Sequence, residues 1–387
     1  MEKSYGILSD ILASDALCIA ISAIVLVLFV AQIALYIWLY QRIATYRLMS
    51  KPIIRKEEPE ISIVVPLFVE DSYYIDHKLP ILLTQDYAKF EVVLVYIGNN
   101  DYFFKDLQAL QNLYPNLSPI HIVPSSRYPV STKTALNVGV KGAKYDFVII
   151  SSHNAVPASD RWLSLLAKGF QYGDIVLGYS GMEEREGFAN RIIREYQLNK
   201  AMAWISSAIR GCTYAASRNA LGFKKSLYFD VRGFGYLDMN IGEDDLFVQK
   251  IATPDNVSVV LSPRAICTEN IWGDFKWWLQ QARMLRTTYR YYPKGVMRST
   301  QIELALRALF FAAFILALIV LPWQLKLAAL GVAVVRYLMA LFIFVRNARR
   351  IGEEGLTASH ILYDLIEPGL RLFIALTPRI TGTKTWH

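Results

Sequence analysis

Cysteine is scarce: Cys18, Cys212 and Cys267 are the only three in 387 residues, odd in number and far apart. That excludes a disulfide-stapled secreted fold and a CxxC metal site, and it fits a reducing compartment. Charge is scarce too, 19% of residues against 54% hydrophobic, which is more apolar matter than a soluble domain of this length needs, so part of the chain is expected in lipid. No zinc-finger spacing, RNA-binding signature or basic heptad pattern accompanies the net charge of +8. Nucleic acid is therefore not the expected partner, and anionic lipid headgroups and phosphorylated substrates fit that charge better. No internal repeat or low-complexity stretch appears, which excludes a solenoid.

What is present begins with long apolar runs. From Ala16 to Tyr40 there is no charged residue, enough helix at about 1.5 Å per residue to cross a hydrocarbon layer of roughly 30 Å. The run is too long for a signal-peptide core and has no basic leader, so it reads as a retained anchor. Glu2, Asp10 and Asp15 precede it; Arg42, Arg47, Lys51, Arg55 and Lys56 follow it. The positive-inside rule then puts the following domain in the cytosol, after a short non-cytoplasmic N-terminus (1–15) and a basic linker (41–59). Two more runs, Ala308 to Leu325 and Leu327 to Val345, turn near Pro322 to Lys326 and end at Arg346, Arg349 and Arg350. They predict a transmembrane hairpin over 304–345. Arg336 falls inside the second run, where a charge costs at least about 2.5 kcal/mol. Two readings stand there: an arginine paired with a neighbouring helix, or a contact for a lipid-linked phosphate. Ile361 to Leu376 is apolar but interrupted by Asp364, Glu367, Pro368 and Arg371, so it reads as an interfacial or re-entrant helix in a cytosolic tail (346–387) rather than a full span.

Between about 60 and 273, short β-branched runs alternate with helical patterns, the signature of an α/β fold with a largely parallel sheet. The runs are Ile61 to Pro66, Val92 to Ile97, Ile120 to Val123, Phe147 to Ser151, Ile175 to Leu177 and Val257 to Leu261. Ligands of such sheets collect at the carboxyl ends of the strands.

The segments at those ends carry a recognisable order. Pro66 and Glu70 form P-x-x-x-E; Gln85-Asp86-Tyr87 follows, then Lys133 before Ala135-Leu136-Asn137 and Gly139, then Pro157 and Trp162-Leu163. Gly242-Glu243-Asp244-Asp245-Leu246 and Gln280-Gln281-Ala282-Arg283 complete it. In order and spacing, and with membrane helices at both ends, this resembles the family 2 glycosyltransferases of the GT-A fold; the segment Arg218-Asn219 through Phe223-Lys224-Lys225 and the tryptophan-bearing C-terminal tail resemble the small membrane-bound members of bacterial surface-polysaccharide loci. The resemblance implies a GT-A (nucleotide-diphospho-sugar transferase-like) mixed-sheet domain on the inner face of a bacterial cytoplasmic membrane. It also implies a nucleotide sugar donor, a lipid-linked or glycan acceptor, and an inverting transfer. Contacts to Glu70, Asn99, Asp101, Lys133, Gln280 and Arg283 would be donor or diphosphate contacts by this resemblance. Arg127 and Arg286 are further cationic candidates. For Lys133 the alternative is an ordinary surface lysine.

The sequence departs from the family at the metal. The DxD carboxylates that hold Mg²⁺ or Mn²⁺ are replaced by Ser152-His153-Asn154, and the aspartates after the second strand by Tyr96 and Ile97. A hydroxyl, an imidazole and an amide are poor ligands for these hard cations, so no cofactor is expected, or at most a weakly held divalent metal. The segment also reads as a plain polar turn. Glu243, Asp244 and Asp245 stand at a helix start, where carboxylates are favoured as caps and where crowding can raise one pKa toward the range of a general base. Asp244 is the preferred base, with Glu243 one register away. Over 274–303, Trp277, Trp278, Tyr289, Tyr291 and Tyr292 interleave with six basic residues up to Arg298, as expected of membrane-interface helices. Two functions follow: an active membrane glycosyltransferase, or an inactive scaffold on the same fold that partners another glycosyltransferase. A channel built on the hairpin is disfavoured by the large domain. With three spans per chain, processive export would need a homo-oligomer or a partner.

Overall fold

The structure, a computed structural model, describes residues 2–125, 130–235, 242–270 and 274–376, with side chains from residue 15 onward. Arg127 lies outside the described residues. The sheet-forming strands are β1 (Ile61–Leu67), β2 (Phe90–Ile97), β3 (Leu117–Ile122), β4 (Phe147–Ile150), β5 (Ala155–Pro157), β6 (Ile175–Leu177), β7 (Ser180–Met182), β8 (Leu221–Lys224), β9 (Val257–Val259) and β10 (Cys267–Glu269). The helices are α1 (Glu2–Thr45), α2 (Leu79–Leu83), α3 (Asp101–Leu113), α4 (Thr132–Gly142), α5 (Trp162–Phe170) and α6 (Phe188–Ile209). They continue with α7 (Lys225–Asp230), α8 (Asp245–Ile251), α9 (Phe275–Leu285), α10 (Lys294–Val320), α11 (Trp323–Ile351) and α12 (Thr357–Leu376).

A seven-stranded sheet runs in the order β3-β2-β1-β4-β8-β6-β9. Its pairings are parallel except where β8 lies antiparallel between β4 and β6. Every residue of β1 is buried, because helices cover both faces and leave no side for polar alternation. The α4 helix packs so closely that a Cβ at Gly139 would stand 2.4 Å from Val64 Cγ1, and only glycine tolerates that approach. A second, three-stranded sheet, β5-β10-β7, stands beyond the strand ends and brings Glu269 to them.

Among the described residues, three helices are long and apolar enough to cross a membrane: Asp15–Thr45, Lys294–Val320 and Trp323–Ile351. They outrun the spans expected from charge alone. α1 continues into the basic linker, and α10 starts ten residues before the expected hairpin start at 304, taking in part of the expected interface segment. Charges at a membrane boundary do not end a helix whose backbone bonds remain satisfied. The hairpin turn falls at Leu321–Pro322, slightly earlier than the apolar run predicted, because Pro322 serves as the N-cap of α11.

α12 is docked by its charged face. Asp364 and Glu367 are both 1% exposed. Arg336 donates through Nη2 to Asp364 Oδ1 at 3.1 Å and through Nε to Gln32 Oε1 at 3.0 Å. Arg307 donates to Glu303 at 2.7 Å and to Glu367 at 2.7 Å, and lies 3.2 Å from Asp364. Arg371 closes the chain on Glu367 at 2.8 Å. Of the two readings of Arg336, the structure has the helix-pairing one. The bundle is joined to the α/β domain through α6: Arg210 donates to the Leu39 carbonyl at 3.1 Å, Arg194 to Glu353 at 2.9 Å, and His360 lies 3.1 Å from Glu195.

Candidate active site

A cavity of about 260 Å³ opens where the strand ends, α6, α8 and α9 meet. Its walls take Ser152, His153 and Asn154 from the turn after β4, Lys200 and Trp204 from α6, Arg218 and Asn219 before β8, Asp244 and Asp245 at the start of α8, and Glu269 from β10. Trp277, Trp278 and Gln281 of α9 and Tyr289 and Tyr292 after it close the far side.

The acidic cluster is built by a glycine. Gly242 has φ +106°, a backbone setting that L side chains rarely adopt; it turns the chain so that three successive carboxylates leave in three directions. Glu243 goes inward, 2% exposed, with Oε1 3.4 Å from Arg218 Nη2. Asp245 also goes inward, where its Oδ2 accepts from Thr288 Oγ1 at 2.7 Å and from the Tyr292 hydroxyl. Asp244 stays at the wall, its side chain 19% exposed and Oδ2 4.0 Å from Arg218 Nε. Of the three, Asp244 combines a cavity position with solvent contact, and among the described residues its side chain accepts one hydrogen bond, from the Asp245 amide at 3.0 Å.

Electrostatics separate these groups further. Burial pushes the Glu243 carboxyl up, with Arg218 opposing; burial and the neighbouring Asp244 push Asp245 up, with Tyr292 and Thr288 opposing. Glu269 is also raised by burial, against the pull of Arg218. Burial works against charge on Arg218, but Glu243, Asp244 and Glu269 outweigh it and hold the guanidinium firmly protonated.

The other expected contacts lie elsewhere. Glu70, Asn99, Asp101 and Lys133 do not line the cavity. Glu70 is exposed and accepts from the Tyr96 hydroxyl at 3.0 Å and from Asn100 Nδ2 at 2.7 Å. Tyr96, standing where the family has an aspartate, thus holds a carboxylate instead of being one. Asn100, between Asn99 and Asp101, caps α3 by accepting from the amides of Tyr102 and Phe103. Lys133 is half-buried in the first turn of α4, directly after the cavity-lining Thr132. On α9, Gln280 is exposed and Arg283 sits 5.5 Å from the Phe373 ring of α12; neither lines the cavity, whereas Gln281 does. Helical period accounts for it: Trp277, Trp278, Gln281, Ala282 and Leu285 share one face. Arg286 donates to the Ile374 carbonyl at 2.9 Å.

Ser152 Oγ and Asn154 Oδ1 are buried without a hydrogen-bond partner among the described residues, as is Gln281 Oε1 across the cavity. The His153 pKa is lowered, chiefly by burial, which keeps the ring neutral. Unpaired buried polar atoms facing a cavity are sites for a polar ligand. As a donor set for Mg²⁺ or Mn²⁺, however, Ser152, His153 and Asn154 bring no anionic oxygen, and no group of three histidine, cysteine or carboxylate side chains suited to a metal occurs among the described residues. The residues present do not fit a tightly held divalent ion.

The model of one family, Glycosyl transferase family 21, matches residues 23–370. The chain belongs to that family. The match runs from the first membrane helix into α12, so the bundle is part of what defines this family 21 chain. The motif order resembled family 2; what the two assignments share is a glycosyltransferase. No curated protein matches by sequence. Among solved structures, the mannosyltransferase PcManGT from Pyrobaculum calidifontis, in complex with GDP-Man and Mn2+, matches at 20% identity over 89% of this chain and 99% of that one, with a TM-score of 0.55. TarS 1-349 from S. aureus in complex with UDP-GlcNAc matches at 17% identity over 76% and 90%, with a TM-score of 0.41. At such identities the PcManGT likeness is one of fold, and it agrees with the GT-A-like mixed sheet of this family 21 chain.

Proposed function

We infer that this protein is a membrane-bound inverting glycosyltransferase that moves a sugar from a nucleoside diphosphate donor to a hydroxyl of a lipid-linked or glycan acceptor. The observation that carries the reading is the division of labour at Gly242–Asp245: Glu243 and Asp245 are buried and partnered, and Asp244 keeps its contact with solvent at the cavity wall. Asp244 takes the proton of the acceptor hydroxyl as its oxygen bonds to the anomeric carbon, while the bond from that carbon to the diphosphate oxygen breaks with its electron pair leaving on the diphosphate. The developing negative charge is met by Lys200 and by the start of α4, where Thr132 lines the cavity, Lys133 follows, and no acid occupies the first turn. Thr288 and Tyr292 hold Asp245 and so fix the register of α8 on which Asp244 stands.

GDP-Man and UDP-GlcNAc, found in the related structures, set the class of donor to try. The wall of Trp204, Trp277 and Trp278 beside the membrane helices supports an acceptor with an apolar part, in line with the resemblance to enzymes of surface-polysaccharide loci. The domain then faces the cytosol, where activated sugars are made, at the bacterial inner membrane. Because Ser152-His153-Asn154 carries no carboxylate, turnover is expected to survive chelation.

That same substitution supports a second reading, a scaffold on the transferase fold. Calorimetric titration of the full chain with GDP, UDP and their sugar conjugates, with and without Mn²⁺, separates the two. Saturable binding of one nucleotide, retained in EDTA, supports the enzyme. No binding of any nucleotide up to roughly 1 mM, an affinity weaker than about −4 kcal/mol, favours the scaffold.

A further inference from the structure

A second cavity, of about 180 Å³, lies between α1 and α11 and shares no residue with the first. Ile37, Gln41 and Ala44 line it from α1, and Met339, Phe342, Ile343, Arg346 and Asn347 from α11. Both sets follow helical spacing, so two faces meet in a groove parallel to the helices. Its composition is graded. Ile37 and Met339 sit toward the middle of the two apolar helices, while Gln41, Arg346 and Asn347 sit at their C-terminal ends, where α1 leads into the α/β domain and α11 into the turn before α12.

Two polar groups in the groove are left over from the fold. No carboxylate among the described residues lies within ion-pair distance of Arg346, whose guanidinium stands 5.4 Å from the exposed Phe342 ring. Asn347 is fully buried; its Nδ2 donates to the Tyr40 carbonyl at 3.0 Å, and its Oδ1 has no partner among the described residues. A buried acceptor without a donor forfeits the hydrogen bond that it would make in water. An occupant should therefore be apolar along most of its length and carry at the domain-side end an anion for Arg346 and a hydrogen-bond donor for Asn347.

We propose that this groove binds one anionic glycerophospholipid with a hydroxylated headgroup, its phosphodiester on Arg346, a headgroup hydroxyl donating to Asn347 Oδ1, and an acyl chain along Ile37, Met339, Phe342 and Ile343. Charge favours it, since Arg42, Arg349 and Arg350 stand at the same end of the bundle and polybasic surfaces draw anionic lipid. Zwitterionic phosphatidylcholine offers the phosphate but no hydrogen-bond donor. The site rests on the apolar helices lying in a bilayer and is independent of whether the α/β domain turns over a sugar.

The test reconstitutes the full chain in bilayers of equal phosphatidylglycerol and phosphatidylcholine, then counts retained lipid by native mass spectrometry. One phosphatidylglycerol per chain is expected, with phosphatidylcholine absent. Arg346→Ala, at an exposed position that the fold does not need, should lower retention about tenfold, the effect of losing some 1.4 kcal/mol. Arg349→Ala, outside the groove, should leave it unchanged. Phosphatidylmethanol, which keeps the charge and lacks the hydroxyl, should be retained less well than phosphatidylglycerol. Equal retention of phosphatidylcholine, or equal losses in Arg346→Ala and Arg349→Ala, would overturn the site; equal retention of phosphatidylmethanol would overturn the headgroup contact.

Discussion

Two of the places where the protein buries charge handle it in opposite ways. In the helical bundle, Arg307, Arg336 and Arg371 are matched by Glu303, Asp364 and Glu367, every one in a direct pair. Around the cavity, Glu243, Asp244, Asp245 and Glu269 face Arg218 and Lys200, an excess of carboxylate, and burial pushes Glu243, Asp245 and Glu269 toward the protonated form. A balanced network is finished when the chain folds. An unbalanced one keeps proton affinity in reserve, which is what acid–base work on a substrate needs.

The contrast can be broken most severely in the bundle. Asp364→Ala leaves Arg336 with only Gln32 beside it and should cost about 3–5 kcal/mol, read as a fall in unfolding midpoint in detergent. Replacing both partners, Arg336→Met with Asp364→Leu, should recover most of that loss, because the penalty belongs to the unpaired charge. In the cavity, Asp244→Asn should lower turnover by about 10²–10⁴-fold while nucleotide affinity and stability hold. If Asp244→Asn instead lowered the unfolding midpoint and left kcat alone, the carboxylate would be a helix cap.

Smaller changes sharpen the distinction. Tyr292→Phe removes one of the two side-chain donors to Asp245 Oδ2 and should cost about 1 kcal/mol, seen as a drop in kcat of up to about tenfold with nucleotide binding unchanged. Glu269→Gln tests the reserve itself. A carboxyl whose folded pKa is raised is destabilising while ionised, so the wild type should gain stability relative to this variant as pH falls from the raised folded value toward about 4.3. Unfolding midpoints of the two proteins should therefore converge on acidification; parallel curves would mean that Glu269 carries no such strain.

Sequence revealed the two regions unequally. β1, β2, β4, β6 and β9 were legible because both-face burial writes β-branched runs, whereas Leu221-Gly222-Phe223-Lys224 has no β-branched residue and enters the sheet only through tertiary pairing with β4 and β6. The acids at 243–245 stood out as a run. Arg218 stood out only as part of a resembling segment, not as a site residue, and Glu269 not at all, both being lone charges whose partners lie 25 or more residues away. Gln281 was within reach, since helical period from Trp277 and Trp278 points to it rather than to Gln280. For α12 the interrupting charges argued against a plain span, and their pairing with Arg307 and Arg336 was invisible without the neighbouring helices.

The docking of α12 also sets an order of events during synthesis. When the hairpin enters the bilayer, Arg307 already has Glu303 one turn away on its own helix, but Arg336 has only the amide of Gln32 until Asp364, 28 residues further on, has been made. The second helix of the hairpin is thus a poor guest of the lipid while the chain is still growing. Its release from the insertion machinery should wait for the segment that neutralises it, and chains stopped experimentally just before α12 should be the ones that quality-control proteases remove.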